Sequence, residues 1–131
     1  MFKKIFSPRI SEVNGAGHIG HNVMPVWFEE GLIEIIKLFD PDLKGTESFL
    51  AMTNVNINYM QQIFLGKDVE IVTGVKKIGN SSLVLHHEIY QSGKLCAEGK
   101  ATYVNFSPKS QKSTPIPPSV RRLLEEHLTI I

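Results

Sequence analysis

Two hydrophobic rhythms divide the chain. Over residues 22–39 apolar side chains recur at helical spacing, through Val23, Val26, Trp27, Leu32, Ile33, Ile35, Ile36 and Phe39, and Asp40-Pro41 ends the run. Glu30, Glu34 and Lys37 form its polar stripe, their spacings of four and three keeping them on one face. A helix so apolar around its circumference is predicted to be mostly buried. The rhythm then changes to period two. Residues 51–61 contain Asn54-Val55-Asn56-Ile57-Asn58-Tyr59, a strict polar/apolar alternation that predicts a strand. Further strands are predicted over 68–77 and 82–91, about the turn Ile78-Gly79-Asn80-Ser81, and over 95–106 after Gln91-Ser92-Gly93-Lys94.

The flanks complete the picture. Residues 2–11 read as a short first strand, given edge character by Pro8. Beyond Ser107-Pro108, the prolines at 115, 117 and 118 lead through Ser119, an N-cap candidate, into a short helix over about 120–128. Strand, long apolar helix, then a run of antiparallel strands predicts an α+β fold: one curved sheet wrapped around one long central helix, each burying the other's apolar face. The chain is expected to form a single domain over 1–131. The sheet's free edge and remaining apolar surface call for a second copy, so at least a homodimer is expected, with a homotetramer of two dimers left open.

Composition narrows the partners more than the fold. A hydrophobic share of 42%, a charged share of 21% and a net charge of +1 are ordinary for a globular protein. No basic stripe is present to neutralise phosphates, which argues against nucleic acid as a partner. The basic start Met1-Phe2-Lys3-Lys4 is interrupted by Ser7-Pro8-Arg9 before an apolar run forms, so no signal peptide or membrane partner is expected. The lone Cys96 excludes an intrachain disulfide and suits a reducing, cytoplasmic setting.

Candidate chemistry gathers just before the long helix. Ser11-Glu12-Val13-Asn14-Gly15-Ala16-Gly17-His18-Ile19-Gly20-His21-Asn22 is a glycine-punctuated loop that delivers its backbone to a helix N-terminus. Such a terminus carries about half a positive charge and unpaired N–H groups, suited to an anion or a developing oxyanion. Glycines let the backbone approach a ligand closely.

This loop resembles that of hot-dog fold acyl-CoA thioesterases of the 4-hydroxybenzoyl-CoA thioesterase type, including bacterial acyl-CoA thioester hydrolases. The residues that carry the likeness are Glu12-Val13-Asn14, Gly17-His18-Ile19-Gly20-His21 and Phe28-Glu29-Glu30-Gly31, continued by Val55-Asn56-Ile57-Asn58-Tyr59, Gly66-Lys67-Asp68 and Ile78-Gly79-Asn80-Ser81-Ser82. The resemblance implies a hot-dog fold, an acyl-CoA substrate, active sites at a subunit interface and no cofactor. It also implies an acidic nucleophile or base where this chain has Asn14. An amide neither accepts a proton at neutral pH nor forms an acyl anhydride, so Asn14 can only orient a water or donate a hydrogen bond.

The other expected roles follow. His21 offers its backbone N–H to the substrate carbonyl. Glu29 has Pro25, Val26, Leu32 and Ile33 as its helical neighbours, away from the polar stripe, so it is expected to be desolvated and basic. In another branch of the fold a catalytic carboxylate stands eight residues after the carbonyl-polarising residue, and His21 and Glu29 are eight apart. A structural carboxylate bonded across the dimer is the competing role. Gly17 and His18 are expected to shape the substrate loop, Asn56 and Tyr59 to line a cleft, and Ser81 and Ser82 to meet coenzyme A; solvated strand and turn residues are the plainer alternative for the last four. The spacing of His18 and His21 permits a metal, but only the lone Cys96 and the scattered His86, His87 and His127 could add ligands, so none is expected. Two rival functions stay open: a hot-dog protein that binds acyl-CoA or acyl carrier protein without turnover, made credible by Asn14, and a hot-dog dehydratase or hydratase pairing a histidine with an acid.

Overall fold

The computed structural model describes residues 1–128. Strand β1 (Phe2–Phe6) leads through a 3-10 turn (Ile10–Glu12) and the glycine loop to a second 3-10 turn (His21–Val23) that runs into helix α1 (Met24–Phe39). Strands β2 (Phe49–Tyr59), β3 (Val69–Ile78), β4 (Ser82–Gln91), β5 (Lys94–Ser107) and the two-residue β6 (Lys112–Ser113) follow, and α2 (Pro118–Glu125) comes last. The named strands pair antiparallel, in the order β1-β3-β4-β5-β2, with β6 on the end of β5.

The sheet curls around α1 because the helix offers one continuous apolar stripe. Met24, Trp27, Phe28, Gly31, Leu32 and Ile35 are all buried, at the three- and four-residue spacing of one helix face. Burial alternates without exception along β4, so Leu83, Leu85, His87 and Ile89 point inward. Gly31 is where helix and sheet come closest: a Cβ there would lie 2.1 Å from Thr73 Oγ1 and 3.1 Å from His87 Nδ1. Two core clusters result, one about Trp27, Phe28, Ile71 and Ile89, the other about Ile35, Leu85, Tyr103 and Leu124, and Val55 packs against both.

Several expectations are corrected. The first strand stops at Phe6, because Pro8 cannot continue the ladder; the chain turns instead, and Glu12 Oε1 accepts the Arg9 N–H. Strand β2 begins and ends two residues earlier than the alternation suggests. Helix α2 starts at Pro118, inside a proline pair that presets φ, so Pro117 and not Ser119 is its cap. The helix α1 is not buried around most of its circumference. A second apolar stripe, Val26 with Ile33 and Ile36, flanks the buried one, and Val26 is 56% exposed. Glu29 lies on that flank and is exposed, not buried.

Among the described residues strand β2 has no neighbour beyond it. Phe49 (54% exposed) and Met52 stand open along its edge, beside the uncovered flank of α1.

Candidate active site

Asn14 organises the glycine loop. Its Oδ1 accepts the N–H groups of Ala16 (3.1 Å) and His18 (3.2 Å), while its own N–H donates to the His18 carbonyl (2.8 Å). This side-chain turn is what a short polar residue two to four positions ahead of a reversal can build. Gly17 stands at the tip with φ of +83°, a backbone conformation the turn requires and glycine adopts readily. The loop's far side is anchored twice, Ile19 N–H to the Ile63 carbonyl (2.9 Å) and Gly20 N–H to the Glu12 carbonyl (3.0 Å). Glu12 also accepts the Trp27 indole N–H at 2.7 Å, tying loop to helix.

His21 opens the 3-10 turn that feeds α1. Its N–H has no backbone acceptor among the described residues, while its carbonyl accepts the Tyr59 hydroxyl at 2.6 Å. Pro25, in the first turn of α1, brings no N–H of its own, so the free donors of this terminus sit in the 3-10 turn. Partial burial pushes the Tyr59 phenol up from its ordinary value, keeping it a donor.

A cavity of about 290 Å³ opens in front of these groups, lined by Asn14, His18, His21, Tyr59, Gln61 and Ile63 among others. The structure thus brings four of the expected residues together: Asn14, His18, His21 and Tyr59. It separates the rest. Asn56 faces the outer surface of the sheet, in a groove with His86, Glu98 and Lys100. Ser81 and Ser82 lie in the β3–β4 turn, where their carbonyls accept the N–H groups of Asn105 and Gly79. Ser82 pairs with Val104, seven residues along β5 from the cavity-lining Ala97, which is roughly 24 Å at strand rise. Glu29 lines another hollow of about 480 Å³, between α1 and the edge of β2, with Val26, Ile33, Phe49, Met52 and Tyr103. His18 and His21 acquire no further ligand: no group of three metal-binding side chains occurs among the described residues.

Sequence reasoning missed the wall that Met60, Gln61, Gln62 and Ile63 contribute, because residues between two strands carry no periodicity. It also missed a buried polar chain under α1. Thr73 Oγ1 lies 2.8 Å from His87 Nδ1, and Tyr103 Oη 3.5 Å from His87 Nε2, with Phe28 stacked on the imidazole. Burial, reinforced by the neighbouring His86 charge, lowers His87 to about 3 and keeps it neutral. Burial, with a contribution from Glu29, pushes the Tyr103 phenol up.

The family model of the thioesterase-like superfamily matches residues 8–124. The chain belongs to this superfamily. A structure described as that of a predicted thioesterase from Bacillus stearothermophilus is 41% identical, over 98% of this chain and 96% of that one, with a TM-score of 0.92. A Thermus thermophilus thioesterase solved with coenzyme A and Zn shares the fold at 21% identity and a TM-score of 0.81, over 95% of this chain and 91% of that one. A curated relative, the 1,4-dihydroxy-2-naphthoyl-CoA hydrolase of Microcystis aeruginosa, is 25% identical over 81 residues, 62% of this chain and 59% of that protein's length. The curled antiparallel sheet around α1 is the hot-dog fold of the superfamily. No helix among the described residues is long and apolar enough to cross a membrane.

Proposed function

We propose that this superfamily member hydrolyses an acyl-CoA thioester. The observation that carries the reading is His21, at the start of the 3-10 turn before α1, whose N–H has no backbone acceptor among the described residues and which lines a cavity together with Asn14 and Tyr59. A thioester carbonyl oxygen seated there accepts that N–H and gains most as it becomes an oxyanion; losing one such donor typically costs about 3 kcal/mol of transition-state stabilisation. The Asn14 amide N–H₂, with no partner among the described residues while Oδ1 holds the loop, orients the attacking water.

The base we assign is Glu29, supplied by a second copy. Within one chain Glu29 and His21 open onto different hollows. A two-fold axis that pairs the β2 edges antiparallel sets the Tyr59 end of one strand beside the Phe49 end of the other. The Glu29 hollow of one subunit then adjoins the His21 cavity of its partner, and its apolar walls receive the acyl group. Water gives its proton to the Glu29 carboxylate and its oxygen to the carbonyl carbon. The tetrahedral intermediate expels coenzyme A thiolate, which takes the proton; a free acid and coenzyme A leave. A thiolate is a good leaving group, so no dedicated acid is needed.

One observation favours a second reading, binding of acyl-CoA or acyl carrier protein without turnover: Asn14 stands where a carboxylate is expected. A thiol-release assay across short, long and aryl acyl-CoAs decides between them. Release with any substrate supports hydrolysis, whereas tight binding without release supports the second reading.

A further inference from the structure

Gln91 is the last residue of β4, 6% exposed, and distant in sequence from Asn14, His21, Glu29 and Tyr59. Its amide is engaged almost completely. Oε1 accepts the Phe64 N–H at 3.0 Å, and Nε2 donates to the carbonyls of Phe64 (2.8 Å) and Lys67 (3.0 Å). The orientation is fixed, because a flipped amide would set its oxygen against two carbonyls. These three bonds moor the segment between β2 and β3, which has no ladder of its own. That segment is one wall of the cavity, through Met60, Gln61, Gln62 and Ile63. It also carries the glycine loop: Ile63 accepts the Ile19 N–H, and His18 forms a bridge and an edge-on ring contact with Phe64. Ile19 is two residues from His21.

We propose that Gln91 is a positioning residue for the thioester site, acting through Phe64 and Ile63 on Ile19 and so on the placement of the His21 N–H. On its side toward the β2–β3 segment the loop is held by Ile19 N–H on the Ile63 carbonyl and by His18 against Phe64, so losing the mooring loosens the cavity wall and the carbonyl-binding donor together. The proposal rests on the thioesterase reading, and its test separates the two. In Gln91→Met, close in size but without the hydrogen bonds, kcat falls about 10- to 100-fold with KM within about threefold, as expected when reacting groups are misplaced by an ångström. Hydrogen exchange at the Ile19 amide rises about tenfold or more, while central β4 amides keep their protection.

Gln91→Glu supplies a pH signature. Its carboxyl faces two carbonyl oxygens and stays protonated into the neutral range, where it keeps the acceptor for the Phe64 N–H and one of the amide's two donations; turnover declines further as pH rises through that new ionisation, which the unaltered chain lacks. This variant also decides the matter if Gln91→Met fails to fold. A folded Gln91→Met with unchanged kcat and unchanged Ile19 exchange overturns the proposal, as does a lowered Tm with both kinetic constants intact. If the unaltered chain releases thiol from no acyl-CoA, the hydrolase reading fails; Ile19 exchange still reports whether Gln91 orders the loop, and no change there overturns the mooring as well.

Discussion

Asn14 shows how one oxygen changes what a residue can do. Its Oδ1 holds the loop through two N–H groups, a task a carboxylate oxygen performs equally well. Asn14→Asp therefore keeps the loop closed and places a second, basic oxygen at the cavity in place of an amide. Turnover should rise by about tenfold or more, toward what a positioned general base contributes. Unchanged turnover in a folded variant would show that the chemistry draws its base from elsewhere than position 14. Asn14-Gly15 deamidates readily, so peptide mass spectrometry must first show that the unaltered chain carries Asn. Residue-level legibility was uneven for a physical reason. Asn14, His18 and His21 announce themselves because glycines and a helix start leave few other tasks for such a loop. His87 does not, since an inward histidine on an alternating strand reads like any core position. It is nonetheless testable by pH. Folding holds His87 down from 6.5 to about 3, so below 6.5 the unfolded chain takes up a proton that the folded one refuses. That stability is complete above 6.5 and is lost as pH falls toward 3, at up to about 1.4 kcal/mol per pH unit. Urea titrations between pH 7 and 4 should show this slope, reduced by about one proton's worth in His87→Gln.

Elements were legible where one face is buried and the other is not. The alternation of β4 and the helical spacing of α1 come directly from the sheet closing over the helix. The error over Glu29 has the same origin. Helical spacing marks both apolar stripes of α1 alike, and the described residues cover only one of them. Strand β6 is two residues long and too short to show a period. At this scale the informative test is the distance between helix and sheet. Gly31 lets α1 approach β3 and β4 until Thr73 and His87 fill the space where a Cβ would be. Neither can swing away without breaking the Thr73–His87 hydrogen bond in the core. Gly31→Ala should thus destabilise the fold by about 1–3 kcal/mol despite the better helix propensity of alanine. The urea midpoint measures it. A midpoint equal to or above that of the unaltered chain would mean the helix has room to lift.

The whole molecule is where the arrangement of the site is decided. Alone, the chain leaves a strand edge unpaired and exposes Val26, Phe49 and Met52 around the hollow that contains Glu29. An uncovered edge with apolar flanks invites pairing, and a second copy across a two-fold axis satisfies it without leaving a new edge at the junction. Light scattering should therefore report at least a dimer at micromolar concentration. The sharper consequence concerns which subunit supplies what. If His21 and Asn14 of one subunit work with the partner's Glu29, then Asn14→Ala and Glu29→Gln each disable both sites of their own homodimer. Mixing the two variants by refolding creates heterodimers in which one site inherits both defects and the other inherits neither. Random assortment should return about a quarter of the unaltered turnover from two nearly inactive preparations. If Glu29 acts within its own subunit, every site in the mixture carries a defect and nothing is recovered. If Glu29 is purely structural, Glu29→Gln keeps its turnover, or loses it only as the dimer dissociates, and the mixture does no better than its parts.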